Sequence, residues 1–220
     1  MKSTVIAIDG PAGSGKTTLA RLLAEKLGLL YIDTGAMYRS LTLKILNLNI
    51  DFNNKELLID LARKADIKLK PDGKNLKVFI DGADVTDEIR TPEVTKNTFY
   101  VAQVKEIREE MVKIQRSFVK ENKVIMEGRD IGTVVFPDAS KKIYLDAALR
   151  ERANRRFREF MAKGFNPTLS EIEEELAERD KKDKTRAYGP LKMADNAVYL
   201  DTTNLNIPEM VEQALRIINS

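Results

Sequence analysis

Lys16 and Thr17 are the first residues whose types and spacing suggest chemistry. They close the run Gly10-Pro11-Ala12-Gly13-Ser14-Gly15-Lys16-Thr17-Thr18, a G-x-x-x-x-G-K-[ST] pattern. Glycines let a backbone curl tightly enough for successive N–H groups to point at one anion. A helix starting at the lysine adds unpaired N–H groups and a positive dipole end. In this pattern the lysine reaches the outer phosphates of a nucleoside triphosphate, and the following hydroxyl reaches Mg²⁺. Gly10 to Thr18 is therefore a candidate nucleotide-phosphate loop, with Thr17 as a metal ligand. The pattern carries weight only between a strand and a helix. The apolar run Thr4-Val5-Ile6-Ala7-Ile8-Asp9 precedes it, and Leu19, Leu22, Leu23 and Leu27 follow on one helical face.

Composition limits the chemistry further. The 220 residues suit one α/β domain with a small insert, and 43% hydrophobic residues are enough for a sizeable core. There are no cysteines and no histidines. Thiolate, disulfide and imidazole chemistry are thereby excluded, which leaves Lys, Arg, Asp, Glu, hydroxyls and a metal. Phosphoryl transfer fits that inventory, because positioning and charge stabilisation dominate it. A net charge of +3, from 37 basic and 34 acidic residues, makes no case for a nucleic-acid or membrane partner. Met1-Lys2-Ser3-Thr4 carries no signal-peptide pattern, so a cytoplasmic protein is expected, and a monomer is the default.

The elements that must position such residues can be read in order. Gly28 caps the first helix, and Leu29 to Asp33 reads as a strand. Thr34 stands where an N-cap belongs, before a helix with Met37, Leu41, Ile45 and Leu48 on one face; Leu57, Leu58, Leu61 and Ala62 mark a shorter one. From Ile67 the pattern alternates, with turns at Pro71–Asn75 and Asp81–Gly82, and predicts a three-stranded antiparallel insert over about residues 66–90. Pro92 opens a helical region, and Val104, Ile107, Met111, Ile114 and Phe118 keep helical period. Strands follow at Val124–Glu127, Ile143–Asp146 and Ala197–Asp201. An arginine-rich helix starts near Ala148 and breaks at Gly164–Pro167; Ser170 and Glu173 form a capping box for the next. In the final helix Ile207, Met210, Val211, Ala214, Ile217 and Ile218 face the core. Core strands alternating with helices imply a five-stranded parallel sheet covered on both faces. Ligands gather at the carboxyl ends of such strands. Of the strand-end acids Asp9, Asp33, Glu127, Asp146 and Asp201, only Asp33 and Glu127 open further unusual motifs and are kept as candidates.

The binding loop alone fits GTPases, ATPases and kinases alike. Asn122-Lys123-Val124-Ile125 lacks the Asp that a guanine-reading Asn-Lys-x-Asp requires. The arginines are more informative. Arg152, Arg155 and Arg156 share one helical face, and so do Arg179, Asp183 and Arg186. Arg129-Asp130 follows a strand end. For Arg150 and Arg158 a solvated charged surface is the plainer reading. Two polyanions meeting for phosphoryl transfer need such a density of planar, permanently charged forks.

Four stretches together resemble the bacterial cytidylate kinases, of the P-loop nucleoside-monophosphate kinase group. They are Ile8–Lys16, Asp33-Thr34-Gly35-Ala36-Met37-Tyr38-Arg39, Glu127–Ala139 with Gly128-Arg129-Asp130 inside it, and Glu178-Arg179-Asp180 through Asp183 to Arg186. The antiparallel insert resembles that family too. The resemblance implies a P-loop kinase core over about residues 1–33, 120–150 and 187–220, a CMP-binding region over 34–119 and a short helical lid over 150–168. It implies transfer of the γ-phosphoryl group of ATP to CMP or dCMP, with Mg²⁺. Thr34, Arg39 and Arg129 are then expected to hold the CMP phosphate, and Arg108 with Asp130 to read the cytosine edge. Arg179, Asp183 and Arg186 grip the sugar, while Arg152 and Arg156 deliver lid charge. Glu127 holds a Mg²⁺-bound water, supported by Asp33. Lys16, Asp33, Arg129, Arg152 and Arg156 form the expected catalytic set. Two departures stand out: Glu127 where the family often has Asp, and Phe99 where a base-contacting serine aligns. A kinase for UMP or another small acceptor, and a nucleotide-binding module without turnover, remain as rivals.

Overall fold

The computed structural model describes residues 5–73, 75–119, 122–162 and 164–220. The leading Met1–Thr4 and the turn residue Lys74 lie outside the described residues. Five strands form one parallel sheet: β1 (Val5–Asp9), β2 (Leu30–Asp33), β6 (Val124–Gly128), β7 (Lys141–Asp146) and β8 (Val198–Asp201). Their spatial order is β2-β6-β1-β7-β8. The first strand in sequence is therefore the central one, and the loop that follows it emerges in the middle of the sheet.

Alternation along β1 builds the layers. Val5 and Ala7 point to one face and Ile6 and Ile8 to the other, as a pleated strand requires. The Ile6/Ile8 face packs against α1 (Lys16–Leu27) and α8 (Ile207–Asn219). The Val5/Ala7 face meets a larger core from α2 (Thr34–Asn47), α3 (Lys55–Lys64), α4 (Pro92–Ala102) and α5 (Lys105–Ser117). Between α3 and α4, strands β3 (Ile67–Asp72), β4 (Asn75–Ile80) and β5 (Ala83–Asp84) make the antiparallel sheet expected of the insert. Pro71, Asp72 and Asn75 join its strands rather than the turn, because the hairpin pairs to its tip, Asp72 against Asn75. Arg21 of α1 reaches Asn75 at that tip, 3.4 Å away. Helices α6 (Leu149–Ala162) and α7 (Leu169–Thr185) pack together on Ala153, Ile172 and Leu176, with Ala12 of the loop in the same cluster.

Several local expectations are corrected. Asp33, not Thr34, caps α2: its carboxylate accepts from Ala36 N–H at 2.9 Å, and Thr34 is already helical. The capping box of α7 is Thr168–Glu171, two residues before Ser170–Glu173. Both pairs fit S/T-x-x-E, and the earlier one follows Pro167 directly; Glu173 instead pairs with Arg150 at 2.7 Å. Leu48 and Ile207 are exposed rather than core, since each stands at a helix end, one as the C-cap of α2 and the other as the first residue of α8. A π-helical turn at Ile131–Val135, absent from the sequence reading, follows β6. Among the described residues no helix is long and apolar enough to cross a membrane.

Candidate active site

The glycine-rich loop leaves β1 through a position that only glycine can fill. A Cβ on Gly10, whose φ is +154°, would lie 1.9 Å from the Leu145 carbonyl oxygen of β7. The chain then turns, and Ser14 Oγ donates to Pro11 O at 3.1 Å. Helix α1 begins at Lys16 without a side-chain cap and without an acid in its first turn. Its leading N–H groups and positive end are thus left to face an anion. The Lys16 ammonium folds back to Pro11 O at 2.6 Å and is buried. Burial, with repulsion from Arg129 and Arg179, pulls it from 10.5 to about 7. Thr17 is exposed and faces the Glu127 carboxylate.

Asp33 ends β2 and stands in register with Glu127, one residue before the end of the adjacent β6. The Tyr31 hydroxyl donates to Glu127 Oε1 at 2.6 Å. Burial and the neighbouring Asp33 push the Glu127 carboxyl up, against Lys16, Tyr31 and Thr17. Burial acts on Asp33 as well, but Arg39, the Ala36 N–H and Arg90 together outweigh it and hold Asp33 low. A cleft of about 340 Å³ opens here between α1 and the insert, lined by Thr17, Asp33, Val78, Thr86 and Arg90 among others. Among the described residues no three acids converge into a metal cage. A hydroxyl and one or two carboxylates beside a phosphate loop instead match Mg²⁺, which keeps waters and takes phosphate oxygens.

Across the site, cations crowd together. Arg39 pairs with Asp33 at 2.9 Å, and its Nε has no partner. Arg129 Nε donates to Asp183 at 2.9 Å, and Arg186 stands 3.4 Å from the same carboxylate. Arg179 is pulled down to about 10 by burial and then by Arg129, with Arg39 and Arg156 adding to the repulsion and Asp183 opposing it. Arg129 thus repels both Lys16 and Arg179, and Arg39 and Arg156 repel Arg179 as well, as expected where an anion belongs. Thr34, buried beneath them, donates its hydroxyl to Glu127 O at 2.7 Å.

Beyond this cluster lies a buried pair. Arg108 is 2% exposed and donates to Asp130 Oδ2 at 2.5 Å and to Ala102 O at 3.0 Å, with its guanidinium over the Tyr38 ring. Arg186 Nη2 stands 3.8 Å from the other Asp130 oxygen and donates Nε to Gly189 O at 2.5 Å. Arg108 Nε and Arg186 Nη2 are buried without hydrogen-bond partners. Two orphaned donors and a carboxylate at one spot suit a polar, planar ligand edge. Phe99 is half-buried nearby, with Lys182 of α7 5.2 Å over its ring, so it contributes to the contact between α4 and α7.

The arginine face of α6 divides. Arg152 is buried and uses all three nitrogens on the protein: Ala147 O at 2.9 Å, Ala12 O at 3.0 Å and Asp180 at 2.7 Å. Arg155 donates to Ser14 O and to Thr202. These two arginines hold alternate carbonyls of the phosphate loop. Arg156 is half-exposed and lies against Glu159 and Phe160. The sequence places Arg155 on the arginine face but gives it no role, and it gives none to Tyr31, Tyr38, Gly189 or Thr202. Arg155 had a signal, since it shares the face of Arg152.

A family model described as cytidylate kinase matches residues 6–220. The chain belongs to the cytidylate kinase family. Among its relatives, the cytidylate kinase of Caldicellulosiruptor saccharolyticus is 46% identical over 99% of this chain and 96% of its own. That of Clostridioides difficile is 46% identical over the full length of both. A shikimate kinase structure from Bacteroides thetaiotaomicron aligns over 99% of each chain at TM-score 0.51 and 13% identity, which speaks to fold alone. In this member of the cytidylate kinase family, the four stretches read from sequence meet around one site: phosphate loop, Asp33–Arg39, Glu127–Asp130 and Arg179–Arg186.

Proposed function

We propose that this protein transfers the γ-phosphoryl group of ATP to CMP or dCMP, giving ADP and CDP or dCDP. The observation that carries the reading is the buried Arg108–Asp130–Arg186 group with its two orphaned donors, set beside a cation cluster across from a complete phosphate loop. It supplies a second polar site that a simple ATPase would not need.

Gly10 to Thr18 and the first turn of α1 bind the ATP phosphates, and Lys16 recovers its charge against them. Thr17, and Glu127 through a water, would hold Mg²⁺, with Asp33 in support. Bound there, Mg²⁺ supplies neutralisation of the triphosphate charge. Thr34, Arg39 and Arg129 hold the acceptor phosphate, whose ionised oxygen attacks without a histidine base. Arg179, Asp183 and Arg186 engage the sugar, and Arg108 with Asp130 the cytosine edge. Arg156 is free to carry lid charge to the transferring group, while Arg152 acts by fixing Ala12 O of the loop. One chain supplies every group named, so a monomer suffices. A coupled assay of ADP release across CMP, dCMP, UMP, AMP and GMP tests the reading. Turnover with CMP or dCMP at least tenfold above the others is expected; preference for UMP or AMP sinks it, and ATP binding without CMP-dependent ADP marks a non-catalytic module.

A further inference from the structure

Asp9 ends the central strand and is followed directly by Gly10. Its carboxylate is buried and is held by the segment after β6. Oδ1 accepts from Ile131 N–H at 2.8 Å and Oδ2 from Gly132 N–H at 2.7 Å. Its backbone lies in register with Gly128 on one side and Tyr144 on the other. The four residues from Gly128 to Ile131 are therefore pinned at both ends by one residue. Between the pins stand Arg129 and Asp130, which reach Asp183 and Arg108.

We propose that Asp9 is a positioning residue that fixes Arg129 and Asp130 relative to the phosphate loop, and so sets the acceptor against the donor. The inference rests on the acceptor role given above to Arg129 and Asp130. Phosphoryl transfer depends on holding two reactants in line, so a rigid strut between their binding elements acts on the chemistry without touching it. The two N–H donors reach different oxygens, and only a carboxylate offers an acceptor at both positions. An asparagine has one, and its amide nitrogen would oppose the second N–H. Burial raises the Asp9 carboxyl to about 6, against the two N–H groups, so it is ionised at pH 8.

Asp9→Asn is measured at pH 8 beside the parent protein and Arg129→Ala. Binding of ATP alone is read by calorimetry, and KM for CMP at saturating ATP. The expected result is a CMP KM raised about tenfold or more, the loss of one charged hydrogen bond, with ATP affinity within about twofold. A merely structural defect moves both together. Equal loss of both, or no change in CMP KM, overturns the proposal. If Arg129→Ala raises CMP KM and Asp9→Asn does not, only the Asp9 inference falls; if Arg129→Ala leaves it unchanged, the acceptor reading falls and takes the inference with it. Melting curves check the fold. Should Asp9→Asn not fold, Asp9→Ala removes the acceptors without adding an opposed N–H and is held to the same ratio. If neither folds, Asp9 serves folding and not positioning, and the proposal is overturned.

Discussion

Gly189→Ala probes the base-side pair without replacing a charged residue. Gly189 has φ +58°, and a Cβ there would lie 2.3 Å from Asp130 Oδ2 and 3.0 Å from Arg108 Nε and Nη2. Two costs follow, and they separate. The left-handed backbone costs an alanine about 1–2 kcal/mol. For a chain of this size that lowers the melting temperature by about 2–8 °C. The second cost is local: the Asp130 carboxylate must retreat by about 1 Å to reach ordinary contact, which spoils its 2.5 Å bond to Arg108. A charged hydrogen bond is worth about 1.5–3 kcal/mol, so CMP KM should rise about tenfold to a hundredfold. Gly28→Ala is the control. Its φ is +64° and its Cβ would meet nothing within 4 Å, so it carries the first cost alone. The assay pairs melting curves with steady-state kinetics in CMP and in ATP for both variants. Equal melting losses with CMP KM unchanged in Gly189→Ala would refute the reasoning, since the Arg108–Asp130 pair would then stand apart from the acceptor.

Arg129→Ala and Arg186→Ala should each raise the CMP requirement while ATP affinity holds nearly constant; equal loss of ATP affinity in titrations would put them on the wrong side of the site. Lys16 sits near 7 in the structure against 10.5 when unfolded, so its burial costs stability below pH 7, and that cost is relieved as pH rises from 7 toward 10.5. Binding of ATP restores the charge, and at pH 8 calorimetry in buffers of different ionisation enthalpy should register a net uptake of protons. Lys16→Ala should abolish both uptake and transfer; uptake near zero in the parent protein counts against the assignment. Tyr31→Phe removes the 2.6 Å bond to Glu127. The Mg²⁺ concentration for half-maximal rate should rise about tenfold or more, as when the partners of metal-site groups are lost, and an unchanged requirement would remove Glu127 from the metal site.

What the sequence made legible follows from how local each signal is. The phosphate loop is a contiguous run flanked by its own strand and helix, so its residues and its context read together. The antiparallel insert also announces itself locally, through period-two alternation and turn clusters. Asp33 and Glu127 are legible as candidates because each opens an unusual motif. Asp9 was passed over because the partners of its carboxylate, Ile131 and Gly132, are over 120 residues away and are backbone groups, which no residue type reveals. The division of the α6 arginines was illegible for a related reason. Helical spacing puts Arg152 and Arg156 on one face, but which of them meets the carbonyl of Ala12 depends on where that helix docks. Cap positions slipped by one or two residues, as at Thr34 and Ser170, because neighbouring residues compete for the same role.

The central place of β1 has a consequence for synthesis. Val5 pairs with Val124 and Ile6 with Lys141, so both neighbours of the strand lie well over a hundred residues downstream. At ribosomal speeds of about 5–20 residues per second, the wait for the first of them is on the order of ten seconds. Throughout it the nascent chain carries an apolar strand with two open edges, the state in which chaperones or aggregation compete for it. A chain cut short before residue 124 would contain the complete nucleotide motif and no sheet to hold its turn open.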